Sequence, residues 1–259
     1  MIKSNKFKER LGEERYNNQG CLTRIVEYKD NKNIVVEFQD KHRARVHTNY
    51  DNFKKGVAKN PYQSNVCGVG MLGAKYPSKI NGKNTKEYIL WRNMLKRCYD
   101  KKLKNKHPTY RDVTCCEEWL LFENFYEWVH SQFNFEKWID GYRWDIDKDI
   151  LVKGNKIYSP KTCCLVPNSV NKLFVKRNAD RGDLPIGVTR NKEKFQAYCH
   201  CLDRCIPLGT YDTPEQAFQV YKSYKENLIK QVAQTEYSNG NITEQCYNAM
   251  MDYIVEITD

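Results

Sequence analysis

"RWDIDKDILVKGNKIYSPKTCCLVPNSVNKLF", residues 143–174, is the stretch on which the reading of this chain turns. RWDIDKDIL alternates like a strand, KGNKIYSPKT is a polar connection, CCLVP is a second short strand, and residues 168–176 suit a helix. Strand, connection, strand, helix is a shape only. The chemistry has to come from the residues around it.

Upstream, the pattern is helical from Glu87. Tyr88, Trp91, Leu95 and Cys98 recur at helical spacing and leave Arg92, Lys96 and Arg97 towards solvent, while Trp119, Phe122, Tyr126 and Val129 repeat the arrangement on a second helix. Such periodic aromatics predict a core, because stacking on nucleic-acid bases needs exposed rings.

"LWRNMLKRCYD", "YRDVTCCEEWLLFENFYEW", "DIDKDILVKGNKIYSPKTCCLV" and "VNKLF" together resemble, in order and spacing, the His-Asn-His (HNH) endonuclease-like proteins of bacteriophages. In that family a Trp-x-x-Met-x-x-Arg-Cys helix and a Cys-x-x-Trp helix precede a ββα-metal module. The resemblance implies such a module here, with Asp147 at the position of the acidic, metal-holding residue and Asn171 at the position of the polar residue on the final helix. Mg2+ or Mn2+ would be the cofactor if the site cuts.

The family's general-base histidine directly follows that acid, and here Lys148 stands in its place. A lysine has a reference pKa of about 10.4, so at neutral pH it is charged unless burial or a nearby cation lowers it. General acid–base assistance is worth on the order of 100- to 10,000-fold. Neither His107 nor His130 sits at motif spacing to restore it. Asp147, Lys148 and Asn171 therefore read as a degenerate catalytic site, able to touch a phosphate without efficient cleavage.

Further along, LPIGVTRN, KFQAYCHC and CIPLGTYD predict three strands, followed by a long helix whose start is marked by Thr213 as N-cap, Pro214 at the first helical position and Gln216 three residues on. "IGVTRNKEKFQAYCHC" and "LGTYDTPEQAFQVYKSY" resemble the plant-type Apetala-two (ERF) DNA-binding domain, which lays a three-stranded sheet in the major groove. The resemblance implies Thr189, Asn191, Tyr198 and His200 as base-facing candidates, with Arg190, Lys192 and Lys194 for phosphates. The family's third-strand arginine and tryptophan fall on Cys205 and Pro207, which predicts weaker or altered sequence preference. To the closing residues 241–259 we assign a short helix and a strand that dock back on the fold.

At the other end, CLTRIVEYKD, NIVVEFQD and RARVHTNY are short alternating runs, with Ile34, Val36 and Phe38 on one face, and they predict a small SH3-like β-barrel. Residues 63–86 are rich in Gly, Asn and Ser and read as a linker. Their Gly68, Gly70 and Gly73 have G-x-G-x-x-G spacing, but Pro77 and Gly82 follow where a dinucleotide loop needs a helix. The expected class is α+β: an SH3-like module over 1–62, the linker over 63–86, an HNH-like module over 87–178 and an ERF-like three-stranded sheet plus helix over 179–259.

In composition, 40% of the 259 residues are hydrophobic and 13% aromatic, enough for packed cores. The 43 Lys and Arg against 32 Asp and Glu give +11, a balance that favours a polyanion. No run approaches the ~18 consecutive apolar residues of a membrane span, and the start lacks a signal-peptide stretch. Eleven cysteines, an odd number with two adjacent pairs, predict free thiols in a reducing compartment. Zinc would need Cys98, Cys115 and Cys163 to converge and has no Cys-x-x-Cys pair to support it. The leading expectation is a phage-type cytoplasmic protein that binds double-stranded DNA. The alternatives are an active metal-dependent homing or nicking endonuclease and a protein-binding inhibitor of a host defence component.

Overall fold

In the computed structural model, residues 10–132, 135–139, 143–175, 182–201 and 204–259 are described. The chain divides into two compact units, Met1–Glu127 and Trp128–Asp259.

The first unit opens with a four-stranded antiparallel sheet in simple sequence order, β1 (Glu14–Tyr16), β2 (Leu22–Asp30), β3 (Asn33–Phe38) and β4 (Arg45–Thr48). Ile34, Val36 and Phe38 share its buried face as their alternation predicts, and Ile25, Ala44, Phe53 and Ala58 complete the cluster. Among the described residues the expected SH3-like barrel is not closed. β1 and β4 remain the two edges of an open sheet, and no pairing between them closes it. The run RARVHTNY is cut short because the Asn49 side chain accepts from the Asn52 N–H and starts a helix, α1 (Tyr50–Lys54), whose Phe53 fills the sheet's open side.

The Gly-rich residues 63–86 are tied to the helical part of the same unit. Gly70 passes so close to α2 (Lys86–Tyr99) that a Cβ there would lie 2.5 Å from Leu95 Cδ1 and 2.8 Å from the Trp91 ring. Glu123, only 9% exposed, accepts the N–H groups of Ala74 (2.7 Å) and Lys75 (2.6 Å) and the Tyr62 hydroxyl (3.2 Å). Further on, β5 (Lys79–Ile80) and β6 (Lys83–Asn84) form a small hairpin across Asn81-Gly82.

Helix α2 buries Trp91, Met94, Leu95 and Cys98, and the Trp91 indole N–H donates to the Trp119 carbonyl at 2.7 Å. α3 (Lys101–Lys106) and β7 (Thr114–Cys115) follow. Trp119 lies on a 3-10 turn, Glu117–Leu120, separated by Leu121 from α4 (Phe122–Ser131), and Phe122 and Phe125 rather than Tyr126 are fully buried in that helix.

In the second unit, β8 (Trp144–Asp147) and β10 (Cys164–Pro167) pair antiparallel, with α5 (Phe135–Ile139) before them and β9 (Ile157–Tyr158) between. Helix α6 (Asn168–Leu173) follows β10 directly and ends earlier than expected, with Phe174 as its C-cap and Val175 outside it; Lys176 lies outside the described residues. Next come β11 (Val188–Asn191), β12 (Lys194–Cys201) and β13 (Arg204–Tyr211), a three-stranded antiparallel sheet with β12 in the middle. α7 (Pro214–Ser238) and α8 (Glu244–Met251) complete the unit.

α7 serves two cores. Its first half packs Ala217, Phe218 and Tyr221 on Val188, Ala197 and Cys199 of the three-stranded sheet. Its second half packs Ile229 and Ala233 on Cys164, Val166, Val170 and Leu173, with Cys246 and Met250 of α8. The Lys137 ammonium caps the far end, donating to the carbonyls of Asn239 and Gly240 and to the Asn241 side chain. After α8 the chain forms no strand, contrary to expectation, and Val255 is fixed by its N–H to Glu226 (2.8 Å) and its carbonyl from Lys222 (2.7 Å).

The architecture is thus α+β with several open sheets. Among the described residues no helix is long and apolar enough to cross a membrane.

Candidate nucleic-acid interface

The three-stranded sheet has one face on α7 and the other in solvent. Val188, Phe195, Ala197 and Cys199 point to the helix; Thr189, Asn191, Lys194, Gln196, Tyr198 and His200 alternate with them and point away. A bulge between Ala197 and Tyr198 sets the third strand in register, opposing Thr210 to Gln196, Pro207 to Tyr198 and Cys205 to His200. Pro207 is accommodated because β13 is an edge strand. The start of the helix is fixed by Thr213, whose Oγ1 accepts the Gln216 N–H at 3.2 Å, and the sheet is close against it at Gly187, which at φ +77° lies so near Tyr221 that a Cβ would fall 2.1 Å from its ring.

Of the DNA-facing candidates, Thr189, Asn191, Lys194, Tyr198 and His200 are brought together on this face. Tyr198 and His200 meet edge to face with ring centroids 5.3 Å apart. Lys192 sits on the tight turn between β11 and β12 at φ +56°. Arg190 stands apart, on the helix side, with its guanidinium 4.9 Å above the Phe195 ring. Lys194 is paired with Asp212 at 3.0 Å, but both side chains are largely exposed, and such a pair is readily exchanged for another anion. Sequence alone had no means of adding Thr210, which reaches the face only through the cross-strand register.

The Asp147–Lys148–Asn171 group is differently arranged from its motif. Asp147 is 8% exposed, and its Oδ1 accepts the N–H groups of Asp149 and Ile150, both at 2.7 Å, closing the turn after β8. Burial holds its carboxyl above the usual carboxylate range, against the opposing pull of those two N–H groups. Lys148 is also buried; its ammonium donates to both Asp149 oxygens at 2.7 Å and to the Asn155 carbonyl at 2.8 Å, and Asn155 returns a bond to the Lys148 carbonyl. Asn171 bonds Asp145 at 3.2 Å, together with Asn168.

These contacts correct the expected metal chemistry. Among the described residues no three or more His, Cys, Asp or Glu side chains are grouped to hold a metal ion. Asp147 is therefore a turn-closing acceptor rather than a metal ligand, and the ββα-metal (HNH-like) assignment and the Mg2+ or Mn2+ cofactor fall with it. The cysteines described are free thiols, five of them buried, including Cys98 and Cys163; burial pushes the Cys163 thiol up to about 12. Asp145 and Asn168 are the polar residues that sequence reasoning missed. Strand alternation places Asp145 on the same face as Asp147, and Asn168 precedes Asn171 by one helical turn.

No family model matches this chain, and comparison with curated proteins and with solved structures returns no match.

Proposed function

We propose that the protein binds double-stranded DNA through the exposed face of the β11–β12–β13 sheet, without efficient cleavage. The observation that carries this reading is the make-up of that face: Thr189, Asn191, Lys194, Gln196, Tyr198, His200 and Thr210 lie side by side on a sheet backed by α7, with the exposed Asp212 at Lys194. Amide, hydroxyl and imidazole groups are suited to base edges, and a two- or three-stranded ribbon fits the major groove. Lys192 and Lys194 at the rim and the +11 balance supply phosphate attraction. The resemblance of this segment to the Apetala-two domain points the same way. A binding role without cutting also accords with Asp147 Oδ1 and the Lys148 ammonium, both engaged in the turn after β8. A cytoplasmic place of action goes with this reading.

The test is a fluorescence-anisotropy titration of duplex DNA at several salt concentrations, with the full chain and with Tyr198→Ala/His200→Ala. Binding should fall steeply with salt, and the double variant should bind at least about tenfold more weakly, since each good base contact contributes roughly 1–3 kcal/mol of discrimination. Absence of binding by the unaltered chain at low salt would end the proposal.

A further inference from the structure

A second basic surface lies on the first unit, away in sequence from the sheet. Residues 101–111, KKLKNKHPTYR, carry five Lys and Arg and no acid. Of the bordering acids, Asp100 is already engaged, accepting the N–H groups of Lys102 (2.9 Å) and Leu103 (3.1 Å) as the cap of α3. Lys101, Lys102, Lys106 and Arg111 are exposed, and among the described residues none of them forms an ion pair, in contrast to Lys54, Lys75, Lys153, Lys194 and Lys222.

The backbone that carries these charges is well fixed. Lys104 turns inward and donates to the carbonyls of Arg111 (3.0 Å) and Val113 (3.2 Å), and Val113 is fully buried. The His107 N–H returns to Leu103 and the Tyr110 N–H to His107, so that α3 passes into a 3-10 turn, Pro108–Tyr110, without slack. The Arg97 guanidinium lies 6.0 Å from the Tyr110 ring. A fixed backbone leaves only the side chains to be ordered when an anion binds. Leu103, the one aliphatic residue of α3, is half-buried, which leaves no apolar face to enter a lipid surface.

We propose that Lys101, Lys102, Lys106 and Arg111 form a second, sequence-independent contact surface for the phosphate backbone of duplex DNA. The inference rests on the DNA-binding reading and adds to the sheet a surface that supplies affinity but not specificity.

The experiment measures log K against log salt concentration for the full chain on two unrelated duplexes. It compares the unaltered protein, Lys101→Ala/Lys102→Ala/Lys106→Ala, the same three positions changed to Arg, and Tyr198→Ala/His200→Ala. The alanine triple should lower the slope by about 2 to 3, at ~0.9 per lost phosphate contact, and weaken both duplexes equally. The Arg triple should keep the slope, and the sheet variant should keep it while losing affinity.

Duplex binding by the unaltered chain with an undiminished slope in the alanine triple overturns this surface and leaves the sheet reading intact. No binding by the unaltered chain overturns both. Loss of binding to anionic phospholipid vesicles in the alanine triple, with the DNA slope kept, overturns the DNA assignment in favour of a lipid surface. Matching thermal melts of the two triples exclude misfolding as the cause.

Discussion

The Asn171 side chain donates to Asp145 Oδ2 at 3.2 Å, two residues along β8 from Asp147. Asn168 donates to the same oxygen, so one half-buried carboxylate ties β8 to the start of α6. Asp145→Ala leaves both amides without this acceptor and should cost roughly 1–3 kcal/mol, read from urea denaturation. An equal loss in the presence and absence of EDTA is expected; a loss seen only with divalent metal present would contradict a purely structural role.

Asp147 should give stability an unusual pH dependence. Burial raises its folded-state pKa above the ordinary value, so between the two values the folded chain holds the proton more tightly than the unfolded chain. Stability contributed at this site therefore falls as pH rises through that window. Asp147→Asn keeps an oxygen for the Asp149 and Ile150 N–H groups and removes the ionisation. The variant's stability relative to the unaltered protein should increase as pH rises from about 4, the ordinary Asp value. Denaturation midpoints over a pH series decide it, and a variant that loses stability relative to the unaltered chain as pH rises would refute it.

Gly187 has no room for a side chain. Its φ of +77° and the position of the Tyr221 ring, 2.1 Å from where a Cβ would stand, would both have to change in Gly187→Ala. The backbone strain and the overpacking each cost about 1–3 kcal/mol, so the variant should melt well below the unaltered chain. Gly182→Ala, also at positive φ but with nothing within 4 Å, is the control and should lose less.

Lys137 stands over the C-terminal end of α7, with three oxygen acceptors from residues 239–241. Lys137→Met keeps much of the stem and removes the charge. A loss of about 1–2 kcal/mol is expected, from the helix-end interaction and the carbonyls left without a donor. Hydrogen exchange should quicken first in the last turn of α7; unchanged exchange there would show that the cap contributes nothing.

The second unit was far more legible in the sequence than the first. Thr213, Pro214 and Gln216 fix the start of α7 by local chemistry, and the alternation of Phe195, Ala197 and Cys199 fixes which face of β12 is covered. The barrel failed because alternation reports on each strand's two faces and not on whether β1 meets β4. The metal expectation at Asp147 failed for a related reason. Asp145 and Asp147 share one face of β8, and only the path from β10 into α6 determines which of them Asn171 meets. Spacing carries residue types into a neighbourhood; bonding partners are set by the tertiary route.

The double duty of α7 bears on how this protein can be taken apart. At 25 residues it is roughly 37 Å long, and Ile229 and Ala233 face Val166, Val170 and Leu173 while Phe218 and Tyr221 face the sheet. A fragment beginning at residue 182 would keep the sheet but strip the lower half of the helix of its partners from β10 and α6. Such an exposed apolar stripe favours self-association, and two fragments could satisfy it by trading helices. An isolated sheet-and-helix piece should therefore run as a dimer or aggregate, and its DNA affinity would report on avidity as much as on the face that touches the bases.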